Sequence, residues 1–369
     1  MLEPVRLEGT LERGRWYGTM ATIVEGDSIR GDFDPWRRPA DRPPYRAEDI
    51  RFHNGSIELR GTLLLPRTGG RHPAIVFVHG SGPQTRESYL RYFADSFARR
   101  GIAALIYDKR NTGDPRVPPW LQDGGTFEDL AGDALAGVAM LRSRADIDTA
   151  RTGIWRLSQG AWVGPLAASQ SSHVSFVIML SGGGVTPAEQ ERYDDAAKLK
   201  GLGYSQAVLD SAVGLLELAD DYVRSQRDAD WGRLEQTPTA YRQRPWFHHL
   251  DRFPLVLPRE AEAWTGLRPI LDYDPRPVLQ QLKIPVLAIL GELDTSTPTA
   301  ETAKRIEAAL HRAGNADFTV RIVPRADHAL EVADGVAPGW LGTEPAPGWE
   351  EETADWVLRH VAPRGEVAR

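Results

Sequence analysis

The sequence predicts the α/β fold class, with a mostly parallel central sheet covered by helices on both faces. Three features support this prediction. Short, uniformly apolar runs such as Ala74–Val78 and Ile102–Tyr107 alternate with longer amphipathic runs. Strands that are apolar along their whole length are typical of a parallel sheet buried on both faces. The alternation stops near residue 185 and resumes near residue 274, which indicates an insertion in the domain.

The chain begins with a segment of different character. Residues 1–47 are polar, with an alternating run at Trp16–Val24 and a Pro/Arg-rich stretch at Asp34–Arg46. They predict a small β-rich extension followed by a linker. Next come two strand candidates, Asp49–His53 and Ser56–Leu65, joined by an Asn-Gly dipeptide. Because Asn-Gly is typical of two-residue hairpin turns, an antiparallel hairpin is expected to open the main domain.

The core of the main domain is predicted in two parts, residues 48–184 and 274–369. The predicted strands are Ala74–Val78, Ile102–Tyr107, Thr152–Leu157, Val174–Leu180, Pro285–Leu290 and Phe318–Val323. The predicted helices are Arg86–Arg100, Phe127–Arg142, Gly160–Ser169, Pro277–Leu282, Thr299–Ala313 and Trp349–His360. Thr126 is expected to cap the second helix, with Asp129 in its first turn. A Gly/Pro-rich loop, Gly335–Gly348, leads to the last helix.

Residues 185–273 predict a mainly helical insertion. Two helices, Pro187–Leu199 and Ser205–Arg227, precede an irregular part that is rich in aromatic residues. That part contains Trp231, Tyr241, Trp246, Phe247, His248, His249, Phe253 and Trp264. Four of them are candidate substrate contacts because aromatic side chains wall apolar pockets, and packing is the alternative: Trp246, Phe247, His248 and Trp264. Adjacent histidines on an extended segment face opposite ways and no H-E-x-x-H motif accompanies them, so no metal site is expected.

A serine stands where a predicted strand meets a predicted helix. The strand Thr152–Leu157 ends directly before Ser158, and the small-residue-rich helix Gly160–Ser169 follows at once. A sharp turn at this point would expose the serine hydroxyl above the sheet. Such a hydroxyl is a poor nucleophile at neutral pH, and it needs a general base and a carboxylate that orients the base.

Candidates for the acid and the base follow the last two strands. The strand Pro285–Leu290 is followed by Glu292 and Asp294, and the strand Phe318–Val323 is followed by His328. Ligand sites of α/β sheets gather at the carboxyl edge of the strands, where all these loops lie. The order serine, acid, histidine at one edge is more specific than any one of the three residues.

A glycine-containing loop follows the first parallel strand. The sequence His79-Gly80-Ser81-Gly82-Pro83 can present the backbone N–H of Ser81 or Gly82. The turn after Ser158 can present the N–H of Gln159. Two such donors predict an oxyanion hole, in which the loss of one donor typically costs roughly 100- to 1000-fold in rate.

These motifs resemble the α/β-hydrolase superfamily of serine hydrolases, of the esterase, dienelactone hydrolase and acyl-peptidase kind. The matching stretches are His79–Pro83, Tyr107–Arg110, Leu157–Gly160, Gly291–Asp294 and Asp327–His328. The resemblance extends over about residues 50–362 and identifies residues 185–273 with the variable lid (cap) of that family. It implies a triad of Ser158, Asp294 and His328, with Asp294 favoured over Glu292 as the acid. It implies cleavage of an acyl bond without a metal or an organic cofactor.

The sequence departs from the family pattern at Arg156. The usual motif around the nucleophile is G-x-S-x-G, and here the first glycine is an arginine. Three interpretations stay open. The guanidinium reaches the surface or a loop and the chemistry is normal, or it enters the pocket and pairs with an anionic substrate group. In the third, it distorts the turn and leaves a weak or repurposed enzyme.

Four further features are expected to be structural. His79 is expected to brace the oxyanion loop, and Asp108 and Arg110 to form an ion pair that fixes their own loop. Asp327 is expected to bind backbone N–H groups. The triple glycine at 182–184 is expected to be a flexible entry to the lid, because no phosphate-loop motif accompanies it.

Composition narrows the partners and the compartment. The net charge is −7, which gives no basic footprint for nucleic acid. With no cysteine, the chain forms no disulfide and has no cysteine nucleophile. The sequence has no signal-peptide pattern and no run of about 18 apolar residues, so a cytoplasmic protein without a membrane span is expected. The oligomeric state is not indicated.

The sequence therefore predicts a serine hydrolase that cleaves a carboxylic ester or thioester with an apolar or aromatic acyl substrate. A peptidase is less favoured, because such peptidases carry a large β-propeller or a dedicated amine-binding acidic site, and 47 N-terminal residues are too few for a propeller. Two further alternatives stay open. One is an acyltransferase or cyclase that uses the same acyl-serine, and the other is a non-catalytic binding protein on a hydrolase scaffold.

Overall fold

The computed structural model describes residues 6–12, 15–24, 27–33, 42–114, 125–241, 243–250, 259–260, 263–333 and 345–360. The chain divides into two compact units, Met1–Pro43 and Pro44–Arg369. The first unit contains an antiparallel sheet of β1 (Arg6–Glu12), β2 (Arg15–Val24) and β3 (Asp27–Phe33). The predicted loops at 34–46 and 335–348 lie largely outside the described residues, and Phe253 lies wholly outside them.

The second unit is built on a sheet whose described strands lie in the order β11-β10-β9-β8-β6-β7-β5-β4. The strands are β4 (Tyr45–Asn54), β5 (Ile57–Pro66), β6 (His72–Val78), β7 (Ala103–Tyr107), β8 (Ile147–Leu157), β9 (Val177–Leu180), β10 (Val286–Gly291) and β11 (Phe318–Val323). In this order, all neighbouring strands between β11 and β7, including β6, pair in parallel. The strand β5 pairs antiparallel with both β4 and β7. The predicted fold class is confirmed. The unit begins at Pro44 rather than at residue 48, because β4 already starts at the buried Tyr45.

Helices follow most of the strands. They are α1 (Leu90–Arg99), α2 (Phe127–Arg142), α3 (Gly160–Ser169), α4 (Pro187–Gly201), α5 (Gln206–Ser225), α6 (Asp228–Tyr241), α7 (Ala263–Leu271), α8 (Arg276–Leu279), α9 (Thr299–Ala313) and α10 (Trp349–His360). The predicted cap of α2 is confirmed: Thr126 accepts from the N–H of Asp129, whose carboxylate accepts from the N–H of Thr126. No helix among the described residues is both long enough and apolar enough to cross a membrane.

Alternate side chains of each strand form two separate cores. Val76, Leu105 and Ile154 point to the face covered by α2, α3 and α9. Ile75 and Trp155, one residue away, point to the opposite face, which α1 and α10 cover. The period of two residues along each strand thus places helices on both faces of the sheet.

The inserted segment forms a third core of its own, around α5. The helix α6 was not predicted, and its residues were expected to be irregular. The triple glycine before the segment is packed rather than flexible. A Cβ on Gly183 would lie 2.4 Å from the carbonyl oxygen of Ala161, and one on Gly184 would lie 2.4 Å from that of Thr302. Glycine is needed there because backbone approaches backbone.

Candidate active site

Ser158 occupies a strained turn between β8 and α3. Its φ is +55°, in the left-handed region that costs a non-glycine residue of order 1–3 kcal/mol. Its N–H donates to the carbonyl of Leu180 on β9 at 3.0 Å, which ties the turn to the sheet. A Cβ on Gly160 would lie 2.9 Å from the carbonyl oxygen of His79, so only glycine fits there. The predicted sequence of strand, sharp turn and helix is present.

Asp294 and His328 meet at the same edge of the sheet. Asp294 follows β10 and His328 follows β11, and His328 Nδ1 lies 2.9 Å and 3.0 Å from the two carboxylate oxygens. One of these oxygens also accepts from the N–H groups of Ser296 and Thr297, each at 2.8 Å. Both side chains are buried. The carboxylate is therefore held by several donors and can fix the orientation of the imidazole.

The two rival carboxylates bind backbone instead. Glu292 accepts from the N–H of Arg325 at 2.8 Å. Asp327 accepts from the N–H groups two and four residues further on, each at 2.9 Å, which confirms its expected role. A Cβ on Gly291 would lie 2.1 Å from the carbonyl oxygen of Asp327, so this glycine lets the two loops touch. The acids other than Asp294 thus hold the loops that bring Asp294 to His328.

Carboxylates raise the pKa of His328. Burial lowers its pKa, but the charge of Asp294 and its hydrogen bond more than offset this, with further contributions from Asp194 and Asp327. Asp194 lies on α4, and its own pKa is raised by burial although Ser296 binds it. The neighbouring Tyr193 donates to the carbonyl of Asp294 at 3.3 Å. The helix α4 thus adds a second negative charge to the surroundings of His328.

A pH dependence follows if His328 is a general base. A base must be neutral, so kcat/KM is expected to fall as the pH drops through a pKa above the ordinary imidazole value of 6.5. Asp194→Asn removes one charge that raises this pKa, so the acidic limb is expected to move to lower pH. The profile of the variant is compared with that of Glu217→Gln, an exposed position on α5. An acidic limb that stays in place or moves to higher pH would contradict the assignment.

The glycine loop His79–Pro83, predicted to form an oxyanion hole, lies beside the turn of Ser158. Ser81 and Gln159 both line one cavity, and Gly82 has a φ of +77°. Gln159 has helical dihedral angles at the start of α3, so its N–H lies in the first turn of that helix. Ser81 and Gln159, which carry two of the three predicted donors, thus line the same cavity.

His79 braces this loop as expected, but the expected ion pair is wrong. His79 Nε2 lies 2.5 Å from the carbonyl oxygen of Tyr107. Arg110 binds Asp129 at 2.8 Å and Asp133 at 2.7 Å, both on α2. Asp108, instead of pairing with Arg110, accepts from the N–H of Arg86 at 3.0 Å. Asp108 and Arg110 therefore reach different elements.

Arg156 lies entirely inside the protein, with 0% of its surface exposed. Its Nη1 donates to the carbonyl of Gly160 at 2.5 Å, while Nε and Nη2 have no hydrogen-bond partner among the described residues. The stem crosses α3 at Gly164, where a Cβ would lie 2.2 Å from Arg156 Cδ. Burial lowers the pKa of the guanidinium well below its ordinary value. The interpretation that the side chain reaches the surface is therefore wrong.

A cavity of about 260 Å³ is lined by Ser81 of the glycine loop and by Gln159. Phe127 and Trp162, stacked with ring centroids 5.5 Å apart, form part of its wall on the core side. The helices α4, α5 and α7 supply the rest, mostly with aliphatic side chains. Arg192 and Asp220 line it as an ion pair, and burial raises the pKa of Asp220 to about 6. The cavity is thus mainly apolar, with a few charged groups.

The four aromatic residues predicted as substrate contacts belong to the inserted segment. Trp246, Phe247 and Trp264 are buried in the core of the inserted segment, and His248 is exposed. Neither these four residues nor Arg156 are among the described residues that line the cavity. Trp264 packs against Tyr222 of α5 and Trp231 of α6, and Trp246 packs against Tyr241 at the end of α6. Among the described residues, no cluster of three or more His, Asp or Glu side chains could hold a metal ion.

Several solved structures share this architecture. The α/β-hydrolase GrgF from Penicillium sp. has a TM-score of 0.53 and 19% identity, covering 85% of this chain and 99% of the other. An esterase from Pyrococcus furiosus has a TM-score of 0.51 and 16% identity, covering 89% and 97%. The chain has the α/β-hydrolase fold. A proline iminopeptidase from Mycobacterium smegmatis is similar in the same way, with a TM-score of 0.52, 15% identity and coverage of 85% and 98%.

Three curated relatives are similar in sequence. Esterase EstD from Thermotoga maritima is 28% identical over 260 residues, which are 69% of this chain and 53% of that protein. The quorum-quenching protein AidA from Acinetobacter baumannii is 32% identical over 37% of this chain and 43% of its own length. Thiohydrolase aneE from Aspergillus aculeatus is 30% identical over 33% and 37%. The matches span about half the length of these relatives or less. No protein-family model matches the chain.

Sequence reasoning missed one buried residue of the candidate site. Lys109 lies within the matched stretch Tyr107–Arg110. A role was predicted for Asp108 and Arg110 on either side of it, but none for Lys109. It is 2% exposed. A lysine two residues after a uniformly apolar strand, at the same edge of the sheet as the glycine loop, is a signal that could have found it.

Proposed function

We propose that this protein is a serine hydrolase that cleaves a carboxylic ester or a thioester through an acyl-serine intermediate. The observation that carries the proposal is the convergence of three loops at one edge of the sheet. Ser158 stands in a strained turn after β8, and the His328–Asp294 pair, 2.9 Å apart, is formed by the loops after β10 and β11. These are the residue types, in the order, that an activated serine requires.

The proposed reaction begins at Ser158. His328 Nε2 takes the proton of the serine hydroxyl as Oγ attacks the acyl carbonyl, and Asp294 stabilises the imidazolium through Nδ1–H. The N–H groups of Gln159 and of Ser81 or Gly82 bind the oxyanion of the tetrahedral intermediate. Its collapse expels the alcohol or thiol, which receives the proton from His328. Water, activated by the same histidine, then releases the acid and restores the serine.

An apolar substrate group suits the cavity, which is lined mainly by aliphatic and aromatic side chains. The names of two relatives, esterase EstD and thiohydrolase aneE, favour an ester or thioester. Because a structural neighbour is a proline iminopeptidase, amide cleavage is kept as the alternative to be tested.

Labelling with a fluorophosphonate tests the proposal directly. This probe phosphonylates an activated serine, so the wild type is expected to be labelled and Ser158→Ala is not. Product analysis with ester, thioester and aminoacyl amide substrates then identifies the bond that is cleaved, and free acid is the product expected even when an alcohol competes with water. A wild type that is not labelled, or labelling that survives in Ser158→Ala, would remove the basis of the proposal.

A further inference from the structure

Lys109 connects the two halves of the proposed oxyanion site. Its side chain is buried, and Nζ donates to the carbonyl oxygens of Gly80 at 2.8 Å and Gly82 at 3.1 Å. Nζ also donates to the side-chain oxygen of Gln159 at 2.8 Å. Two of these acceptors belong to the glycine loop and the third to the residue after Ser158. An ammonium group offers three donors, so one lysine can bind acceptors on both segments at once.

The bond to Gly80 determines where the next N–H points. The C=O of Gly80 and the N–H of Ser81 belong to one planar trans peptide, so they point in opposite directions. A carbonyl that faces Lys109 therefore turns the N–H of Ser81 away from the lysine. Ser81 is one of the residues that line the cavity. The peptide after Gly82 has no N–H because Pro83 follows, so its carbonyl serves to anchor the loop.

The bond to Gln159 fixes the other donor. The side chain of Gln159 is buried and held by Lys109, and its backbone N–H lies in the first turn of α3. The amide of Gln84 adds a parallel restraint on the loop by donating to the carbonyl of Ser81 at 2.8 Å. One side chain from the end of β7 thus restrains both segments whose N–H groups bind the oxyanion.

The charge of Lys109 favours this role. Burial and the charge of Lys109 together lower the pKa of His79, in the same loop, to about 3. His79 is therefore neutral and donates from Nε2 to the carbonyl of Tyr107. A fixed positive charge behind the loop also polarises the Gly80 peptide, which makes the N–H of Ser81 a stronger donor.

We propose that Lys109 is a positioning residue that aligns the N–H groups of Ser81 and Gln159 for the transition state. This inference rests on the proposed function, because the aligned groups matter only if an oxyanion forms there. Lys109 does not touch the reacting atoms. Its effect should therefore appear in kcat and not in KM, since preorganised donors stabilise the transition state more than the bound substrate.

The test compares Lys109→Met and Gln159→Leu with the wild type on p-nitrophenyl butyrate. Lys109→Met is expected to lower kcat by about 100-fold with KM changed by less than about twofold. Inhibition by an aryl trifluoromethyl ketone, which adds to serine to form an oxyanion, should weaken by a similar factor.

Gln159→Leu is expected to lower kcat by about 10-fold, and by less than that in the Lys109→Met background, because both changes break the same contact. Lys304→Met, at an exposed position on α9, is the matched control.

The outcomes separate the two proposals. If neither the wild type nor Lys304→Met hydrolyses any ester, thioester or amide, the proposed function fails. If both are active and a folded Lys109→Met keeps kcat within about threefold, or loses activity through KM with ketone binding unchanged, the role of Lys109 is refuted. Should Lys109→Met fail to fold, Gln159→Leu decides the question, because an unchanged kcat in this variant also refutes the role.

Discussion

Replacement of Asp294 by asparagine is expected to lower kcat by about 10⁴-fold, with the fold retained. Asp294 accepts from His328 Nδ1 at 2.9 Å and from two backbone N–H groups. Asparagine keeps an oxygen for the backbone groups, so the loop is preserved. It presents an amide to His328, however, which favours the wrong tautomer and gives no charge to stabilise the imidazolium. Steady-state kinetics on one ester, with thermal unfolding as the check on folding, measure the effect.

Two neighbouring carboxylates provide matched controls for this prediction. Glu292→Gln and Asp327→Asn make the same chemical change in the same two loops. Both side chains accept only backbone N–H groups in the contacts described above, and an amide oxygen can accept them as well. A loss of less than about 10-fold is expected for each, in line with a single neutral hydrogen bond. A control that loses as much as Asp294→Asn would show that the acid has been assigned to the wrong residue.

The fold could be predicted from the sequence where burial alone determines the pattern of apolar and polar residues. Uniformly apolar strands and amphipathic helices of the core were located from the sequence, and Phe127–Arg142 was predicted with the bounds observed. The helix α6 was missed, because Asp228–Tyr241 contains Gly232 and Pro238, which disfavour a helix. Packing of Trp231 and Leu234 into the core of the inserted segment overrides that propensity. Tertiary contacts of this kind are not visible in a local window of sequence.

The candidate site, like the fold, could be predicted from the sequence only in part. Ser158, Asp294 and His328 each follow a predicted strand, so their position at one edge of the sheet could be predicted, and the structure places Asp294 against His328. The directions of Arg156 and Lys109 were not predictable, because a charged side chain at a strand end is expected to seek water. Lys109 is held inside by acceptors that are distant in sequence, on the glycine loop and on Gln159. Arg156 is accommodated by the space that Gly164 leaves in α3. Only the three-dimensional arrangement contains that information.

Gly164 leaves the space in α3 that the side chain of Arg156 occupies. Gly164→Ala is therefore expected to destabilise the protein by about 1–3 kcal/mol. A Cβ at this position would lie 2.2 Å from Arg156 Cδ and 2.4 Å from Nε. Real Cβ contacts are not this short, and the clash is with the middle of a buried side chain, which has no room to move. Urea unfolding measures the effect. Gly214→Ala, in the interior of α5 with nothing within 4 Å of its Cβ, is the control, and it is expected to be neutral or to stabilise by up to about 1 kcal/mol.

A double mutant shows whether the clash is with Arg156. Arg156→Ala removes the atoms that the methyl group of Gly164→Ala would meet, so the double mutant is expected to be more stable than the sum of the two single changes implies. Arg156→Ala by itself leaves a cavity and frees the carbonyl of Gly160, but it also removes a buried cation, two of whose nitrogen atoms have no hydrogen-bond partner in the part of the chain that the structure describes. Since burying an unpaired charge costs several kcal/mol, this loss offsets part of the cavity cost. Additive effects would mean that Gly164 is required for another reason.

If Arg156→Ala keeps the wild-type kcat while stability changes, the arginine supports the turn of Ser158 without taking part in the chemistry. A gain in kcat would instead show that it strains the turn.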